Sequence, residues 1–148
     1  MPALCDVNVL LALATDRHVH HSLAMNWLDG VAAGEAVICR VAQTGFLRLL
    51  NNPAVMREEA LDAAACWELW HRLLEDERIR FSPDEPTGLD AAFQRFTQGH
   101  TFTPRLWTDA YLAAFAHVGG LTLVSLDRDF RRFSGLDCEV LESNKHPE

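Results

Sequence analysis

Ala3-Leu4-Cys5-Asp6-Val7-Asn8-Val9-Leu10-Leu11-Ala12-Leu13-Ala14 decides the fold of this chain. Ala3 to Asp6 reads as a short apolar strand that passes straight into a helix over Val7 to Ala14, whose leucines at 10, 11 and 13 suit a buried face. Asp6 stands where the strand runs out. The same alternation continues outward. His21 to Leu28 reads as a helix stopped by Asp29-Gly30, and Ala36 to Cys39 as a buried strand. A helical pattern through Ala42, Phe46, Leu47, Leu49 and Leu50 then ends at Asn51-Asn52-Pro53. Arg57 to Glu77 is expected as one long amphipathic helix, followed by a strand at Ile79 to Phe81. Leu89 to Thr97 reads as a helix and Gln98 to Arg105 as a polar loop. A helix over Asp109 to Val118 stops at Gly119-Gly120, and strands follow at Leu121 to Ser125 and Cys138 to Leu141.

Strands that alternate with helices imply a mainly parallel sheet with helices on both faces, a three-layer α/β/α sandwich, because parallel neighbours need crossover connections. Ligands in such sheets bind beyond the carboxyl ends of the strands. Asp6 and Asp127 follow strands, and Asp109 opens a helix, so these carboxylates are expected at one edge of the sheet. Clustered carboxylates repel one another unless a cation or shared protons intervene. The pattern reads as a site for a hard metal ion.

Composition narrows the function classes. The chain has 148 residues, 49% of them apolar, enough for one compact domain over 1–141, with 142–148 expected as a disordered tail. No apolar stretch approaches the roughly 20 residues of a membrane span, and the N-terminus shows no signal-peptide pattern, so a cytoplasmic protein is expected. Cys5, Cys39, Cys66 and Cys138 form no C-x-x-C pair and read as reduced thiols, mostly buried. The net charge of -8 argues against indiscriminate coating of nucleic acid, yet leaves room for a nuclease whose divalent cation makes an acidic pocket acceptable to phosphate. The only lysine, Lys145, lies in the polar tail. Chemistries that require a positioned interior lysine, including those of P-loop enzymes and haloacid-dehalogenase phosphatases, are therefore excluded.

Several residues carry competing readings. Asp6 alone could be an N-cap, Asp109 a favourable first-turn charge, and Asp127 with Asp129 a polar turn. Arg128, Arg131 and Arg132 could grip an RNA backbone or form a solvated turn, and Arg48 could pair with an acidic residue. His18, His20 and His21 match no zinc spacing and read as a solvated turn. Trp67 and Trp70 read as core or oligomer face rather than as a base-stacking platform.

Four stretches in order carry a resemblance: Asp6-Val7-Asn8-Val9-Leu10-Leu11, Gly45-Phe46-Leu47-Arg48-Leu49-Leu50, Trp107-Thr108-Asp109-Ala110-Tyr111-Leu112-Ala113-Ala114 and Leu123-Val124-Ser125-Leu126-Asp127-Arg128-Asp129-Phe130. Together, over Leu4 to about Leu136, the chain resembles the PIN-domain ribonucleases of VapC toxins. The resemblance implies a metal-dependent endoribonuclease that hydrolyses RNA phosphodiesters, tRNA or ribosomal RNA among them. It further implies a homodimer and a cognate VapB-like antitoxin whose C-terminal segment covers the acidic pocket. Carried over by position, Asp6, Asp109 and Asp127 are the catalytic acids, with Asp6 and Asp109 as the ligands of Mg²⁺ or Mn²⁺. Asp127 would hold a water or complete the shell, while Asn8 and Ser125 would orient the carboxylates. The family's usual glutamate after the second strand is missing, for nothing acidic lies between Glu35 and Glu58. Gln43 is the expected occupant, able to offer a carbonyl oxygen to an ion or to orient a water. An alternative function is a catalytically weak PIN-like module that binds RNA or a protein.

Overall fold

A computed structural model of the protein describes residues 1–98 and 102–143. The five strands are β1 (Ala3–Cys5), β2 (Ala36–Cys39), β3 (Ile79–Ser82), β4 (Thr122–Ser125) and β5 (Cys138–Val140). They form one sheet in the order β3-β2-β1-β4-β5, and all four pairings are parallel. The expected sandwich is thus present, with no antiparallel member among the described strands.

Among the described residues seven α-helices connect the strands: α1 (Val7–Ala14), α2 (His21–Asp29), α3 (Arg40–Asn51), α4 (Pro53–Met56), α5 (Ala63–Leu74), α6 (Leu89–Phe96) and α7 (Leu106–Gly119). From β1 the chain steps to β2 and then β3 on one side, before crossing to β4 and β5 on the other. Right-handed crossovers therefore put α1 to α5 on one face and α6 and α7 on the opposite face. The direction reverses between β1 and β4. At that switch point on the carboxyl edge, Asp6 follows β1 and Ser125 ends β4, side by side.

The strands are short because each needs only to cross the core, and β1 and β2 are buried at every residue. Phe46 and Phe130 are the largest side chains fully withdrawn from water, and the buried apolar residues form one continuous cluster. On the α1 face, Trp70 packs edge-on against Phe81, with centroids 5.5 Å apart and planes at 87°. Gly45 of α3 lies so close to α1 that a Cβ there would stand 2.8 Å from Val7 Cγ2. A side chain at this position would push apart the helices that follow β1 and β2.

Two expected helix boundaries shift. The single helix expected over Arg57 to Glu77 is interrupted: Arg57 takes φ +53°, Arg57–Glu59 form a 3-10 turn, and α5 begins afresh where Asp62 Oδ1 accepts the Ala65 N–H at 2.9 Å. Charge periodicity continued across this break, whereas the cap stopped the helix. The helix expected from Asp109 starts earlier, at Leu106, which puts Asp109 fourth in α7. Of the polar loop Gln98 to Arg105, residues 99–101 lie outside the described residues, as do 144–148 of the expected tail.

Candidate functional site

Asp6 is the first residue beyond β1 and the N-cap of α1, so strand end and helix start together fix its position. Its backbone N–H donates to Val124 O at 2.9 Å, completing the β1–β4 ladder. Both carboxylate oxygens are engaged: Oδ1 accepts the Val7 N–H at 2.7 Å, and Oδ2 accepts the Ser125 hydroxyl at 2.7 Å. Asp6 is only 7% exposed. Burial raises its carboxyl above the ordinary carboxylate range, against the two hydrogen bonds that favour the charged form, and Asp127 adds to the rise.

Ser125 is the hub. Its one proton goes to Asp6, and its oxygen accepts from the Asp127 N–H at 2.9 Å and from Asn8 Nδ2 at 3.3 Å. Asn8 Oδ1 in turn accepts the Leu126 N–H at 3.2 Å, stitching the first turn of α1 to the loop after β4. Asp127 caps the 3-10 turn Arg128–Arg132 by accepting the Asp129 N–H at 2.9 Å. The polar-turn reading of Asp127 and the N-cap reading of Asp6 are both correct as local structure. Neither uses every lone pair of its carboxylate, so each acid keeps acceptor capacity for a ligand.

Asp109 projects from the first turn of α7 into the same electrostatic neighbourhood. Its carboxyl is pushed up to about 7, first by burial and then by the negative charges of Asp6, Asp127 and Asp129, while Arg132 pulls the other way. No protein hydrogen bond reaches its carboxylate among the described residues. Asp6, Asp109 and Asp127 therefore feel one another, as expected, and Asp129 joins their field. Convergence on a single point is not what the structure shows: no group of three or more His, Cys, Asp or Glu side chains is arranged to hold an ion among the described residues. The donor set is nonetheless all oxygen. Two carboxylates are as many as Mg²⁺ commonly takes from protein, the remainder being waters and phosphate. The oxygen chemistry of these side chains suits a hard divalent ion.

Gln43 is buried, 5% exposed, in the first half of α3. Its Oε1 accepts from Arg40 Nη1 at 2.6 Å, so the carbonyl oxygen expected to face an ion or a water is already bonded to a guanidinium. Farther along the edge, Tyr111 donates its hydroxyl to Glu85 Oε2 at 2.9 Å. Burial and this carboxylate raise the phenol. Sequence reading missed this pair, since 26 residues separate its members and only the Glu85-Pro86 turn after β3 marks the place.

The basic group beside Asp127 is mostly committed. Arg128 Nε lies 2.5 Å and Arg131 Nη2 3.7 Å from Glu142 Oε1, while Arg132 forms no ion pair among the described residues. Arg48 is exposed and likewise unpaired among them. His18 and His20 lie ring to ring at 5.8 Å, and His21 shares a hydrogen with Ala12 O at 2.7 Å, in keeping with a turn rather than a zinc site. Trp70 is core, and Trp67 is 46% exposed. Two grooves of about 480 and 200 Å³ open near the C-terminal end of α1, at the far edge of the sheet from Asp6. Their acids, Asp16 and Glu59 in the larger groove and Asp76 in the smaller, stand beside Arg17 and Arg72.

Comparison with known proteins bears on the fold and the family. The PIN domain family matches residues 3–136. The ribonuclease VapC41 of Mycobacterium tuberculosis is 39% identical over 142 residues, 93% of this chain and 97% of that protein. Among solved structures, VapBC2 from Rickettsia felis bound to a DNA fragment from its promoter superposes with a TM-score of 0.67 at 11% identity, covering 96% of this chain and 100% of that one. M. tuberculosis VapC20, described as a sarcin-ricin loop cleaving toxin, superposes with a TM-score of 0.66 at 16% identity, covering 91% and 98%. At those identities the structures speak for the fold alone. The family match over most of the length and the 39% identity settle the family: this chain belongs to the PIN-domain family, among the VapC ribonucleases.

Proposed function

We propose that this protein is a metal-dependent endoribonuclease, the toxin half of a VapBC-like toxin–antitoxin pair. The observation that carries the reading is the hydrogen-bonded network that ties Asp6, Ser125, Asn8 and Asp127 together at the switch point of the sheet, within the electrostatic reach of Asp109. Asp6 and Asp109 would hold Mg²⁺ or Mn²⁺. When bound, such an ion lowers the pKa of a coordinated water and neutralises charge that develops on the scissile phosphate.

The protein's own residues do the rest. Ser125 fixes the rotamer of Asp6 and donates to its charged form, which keeps that acid available as a ligand. Asn8 and the Asp127 N–H hold Ser125 in turn, so the loop after β4 cannot drift from α1. Asp127, with its second oxygen free, would accept a proton or a hydrogen bond from the attacking water. Asp109 without an ion takes up a proton near neutrality, and an ion would compete with that proton.

VapC20 is a sarcin-ricin loop cleaving toxin, and its relative from R. felis was solved as a VapBC complex; an exposed RNA loop as substrate and a VapB-like antitoxin as partner are the corresponding expectations here. A basic antitoxin segment would complement the acidic edge. A homodimer in the cytoplasm completes the proposal; no described helix is long and apolar enough to cross a membrane.

The test is cleavage of total RNA by protein freed of antitoxin, with Mg²⁺ or Mn²⁺ against EDTA. Discrete fragments should vanish with the chelator, and Asp6→Asn should lower the rate at least about 100-fold, no less than loss of an outer partner costs in metal sites. Equal cutting by Asp6→Asn would sink the assignment. Absence of cutting by folded, metal-supplied protein would leave the RNA- or protein-binding module as the better reading.

A further inference from the structure

Arg40 is the first residue after β2, as Asp6 is the first after β1, and these strands are parallel neighbours. The arginine therefore emerges at the same carboxyl edge as the acids. Its guanidinium is held on two sides: Nη1 donates to Gln43 Oε1 at 2.6 Å, and Cζ lies over the Phe81 ring, 4.7 Å from its centroid. Phe81 is itself fixed by the edge-on Trp70. Yet Arg40 is exposed and forms no ion pair among the described residues, in a chain whose net charge is -8. Glu85, the carboxylate beside this part of the edge, takes the Tyr111 hydroxyl instead.

An oriented, exposed and uncompensated guanidinium is what a phosphate needs. Its remaining N–H groups keep the planar fork that matches phosphate oxygens, and its stem is already ordered, so little rotamer entropy is lost on binding. The amide at 43 matters for this. A glutamate in its place would close Arg40 into an ion pair, whereas glutamine orients it and leaves its charge unspent. Phe81 lies on β3, two strands from β1, or roughly 10 Å across the sheet, too far for Arg40 to touch a phosphate seated at Asp6.

We infer that Arg40, positioned by Gln43 and Phe81, binds an RNA phosphate flanking the scissile one. The inference rests on the ribonuclease reading and assigns Gln43 to substrate binding. Position 43 then serves the RNA backbone rather than the ion.

The experiment measures binding of a short synthetic single-stranded RNA to the Asp6→Asn protein in EDTA over a range of salt, and cleavage kinetics in the otherwise native protein. Arg40→Ala should raise Kd about tenfold, as expected for a lost charged hydrogen-bond pair, and flatten the dependence of log Kd on log salt by about 0.7. In cleavage it should raise KM with kcat nearly unchanged. Arg40→Lys should keep the salt slope and lose part of the affinity. Gln43→Glu should mimic Arg40→Ala with the arginine still present, and unfolding midpoints near that of the parent identify properly folded variants. Unchanged slope and KM in Arg40→Ala, or a Gln43→Glu protein with higher kcat and tighter metal binding, overturns the inference. If the native protein cuts no RNA, the ribonuclease reading fails instead, and the salt slopes still report on Arg40.

Discussion

At the β1–β4 half of the carboxyl edge, a buried acid is tied by a hydroxyl that is itself held by an amide and a backbone N–H, each within hydrogen-bond distance of that hydroxyl. At the β2–β3 half, an exposed arginine leans on an aromatic ring and a buried amide, with its charge facing water. The first arrangement concentrates negative charge where solvent is scarce, which raises carboxyl pKa values and calls for a cation. The second presents positive charge where solvent is plentiful, so it costs little to maintain and is free to meet an anion. One edge thus holds two electrostatic tasks, ion binding and phosphate binding, apart by the width of a strand or two.

Of the effects that do not depend on pH, breaking the spacing between the halves should be the largest. Gly45→Ala places a methyl 2.8 Å from Val7 Cγ2. Overpacking costs about 1–3 kcal/mol, and the helix propensity of alanine returns about 1, so a net loss of about 1 kcal/mol in denaturant unfolding is expected. Val7→Ala should recover part of that loss in a double-mutant cycle; simple additivity would show that α1 and α3 do not meet there.

A pH-dependent effect sharpens the acidic half alone. The folded-state carboxyl of Asp109 sits at about 7 against an ordinary 3.8. Folding then favours the protonated form, so this residue contributes stability fully below about 3.8 and loses it as pH rises through about 7. In chelator, the stability difference between the native chain and Asp109→Asn should change across that window, with Asn the more favourable partner at high pH. Mg²⁺ should shrink the difference at neutral pH. A difference independent of pH would show that Asp109 is not squeezed by its neighbours.

The smallest effect concerns the outer rim. Glu142→Gln releases Arg128 and Arg131, both exposed, and should change stability by no more than about 0.5 kcal/mol. RNA binding should strengthen slightly at low salt if the freed arginines reach the backbone. Binding that weakens would mean that Glu142 orders them for the task.

Much of this was legible in the sequence because strand ends and acids coincide. Cys5-Asp6 and Ser125-Leu126-Asp127 announce carboxylates at the ends of apolar runs, and parallel topology brings such ends together. Helix limits were less legible. Asp62 outcompeted a continuous charge pattern by capping α5, and Leu106 began α7 without a side-chain cap that could have signalled the start. The partners of long side chains were least legible. Gln43 gives its oxygen to Arg40 three residues back, and Arg128 pairs with Glu142 across a turn and a strand, choices that depend on rotamers and burial rather than on spacing.

The hydrogen bond between Ser125 and Asp6 spans 119 positions of chain, joining the opening strand to the next-to-last one. During synthesis the first acid emerges early, but its strand lacks one flanking partner and its carboxylate lacks its hydroxyl until β4 has left the ribosome. A nascent fragment ending anywhere before Thr122 holds at most Asp6 and Asp109 of the three acids, unclamped. The acidic edge is therefore among the last parts of the fold to assemble, because its clamp must wait for β4.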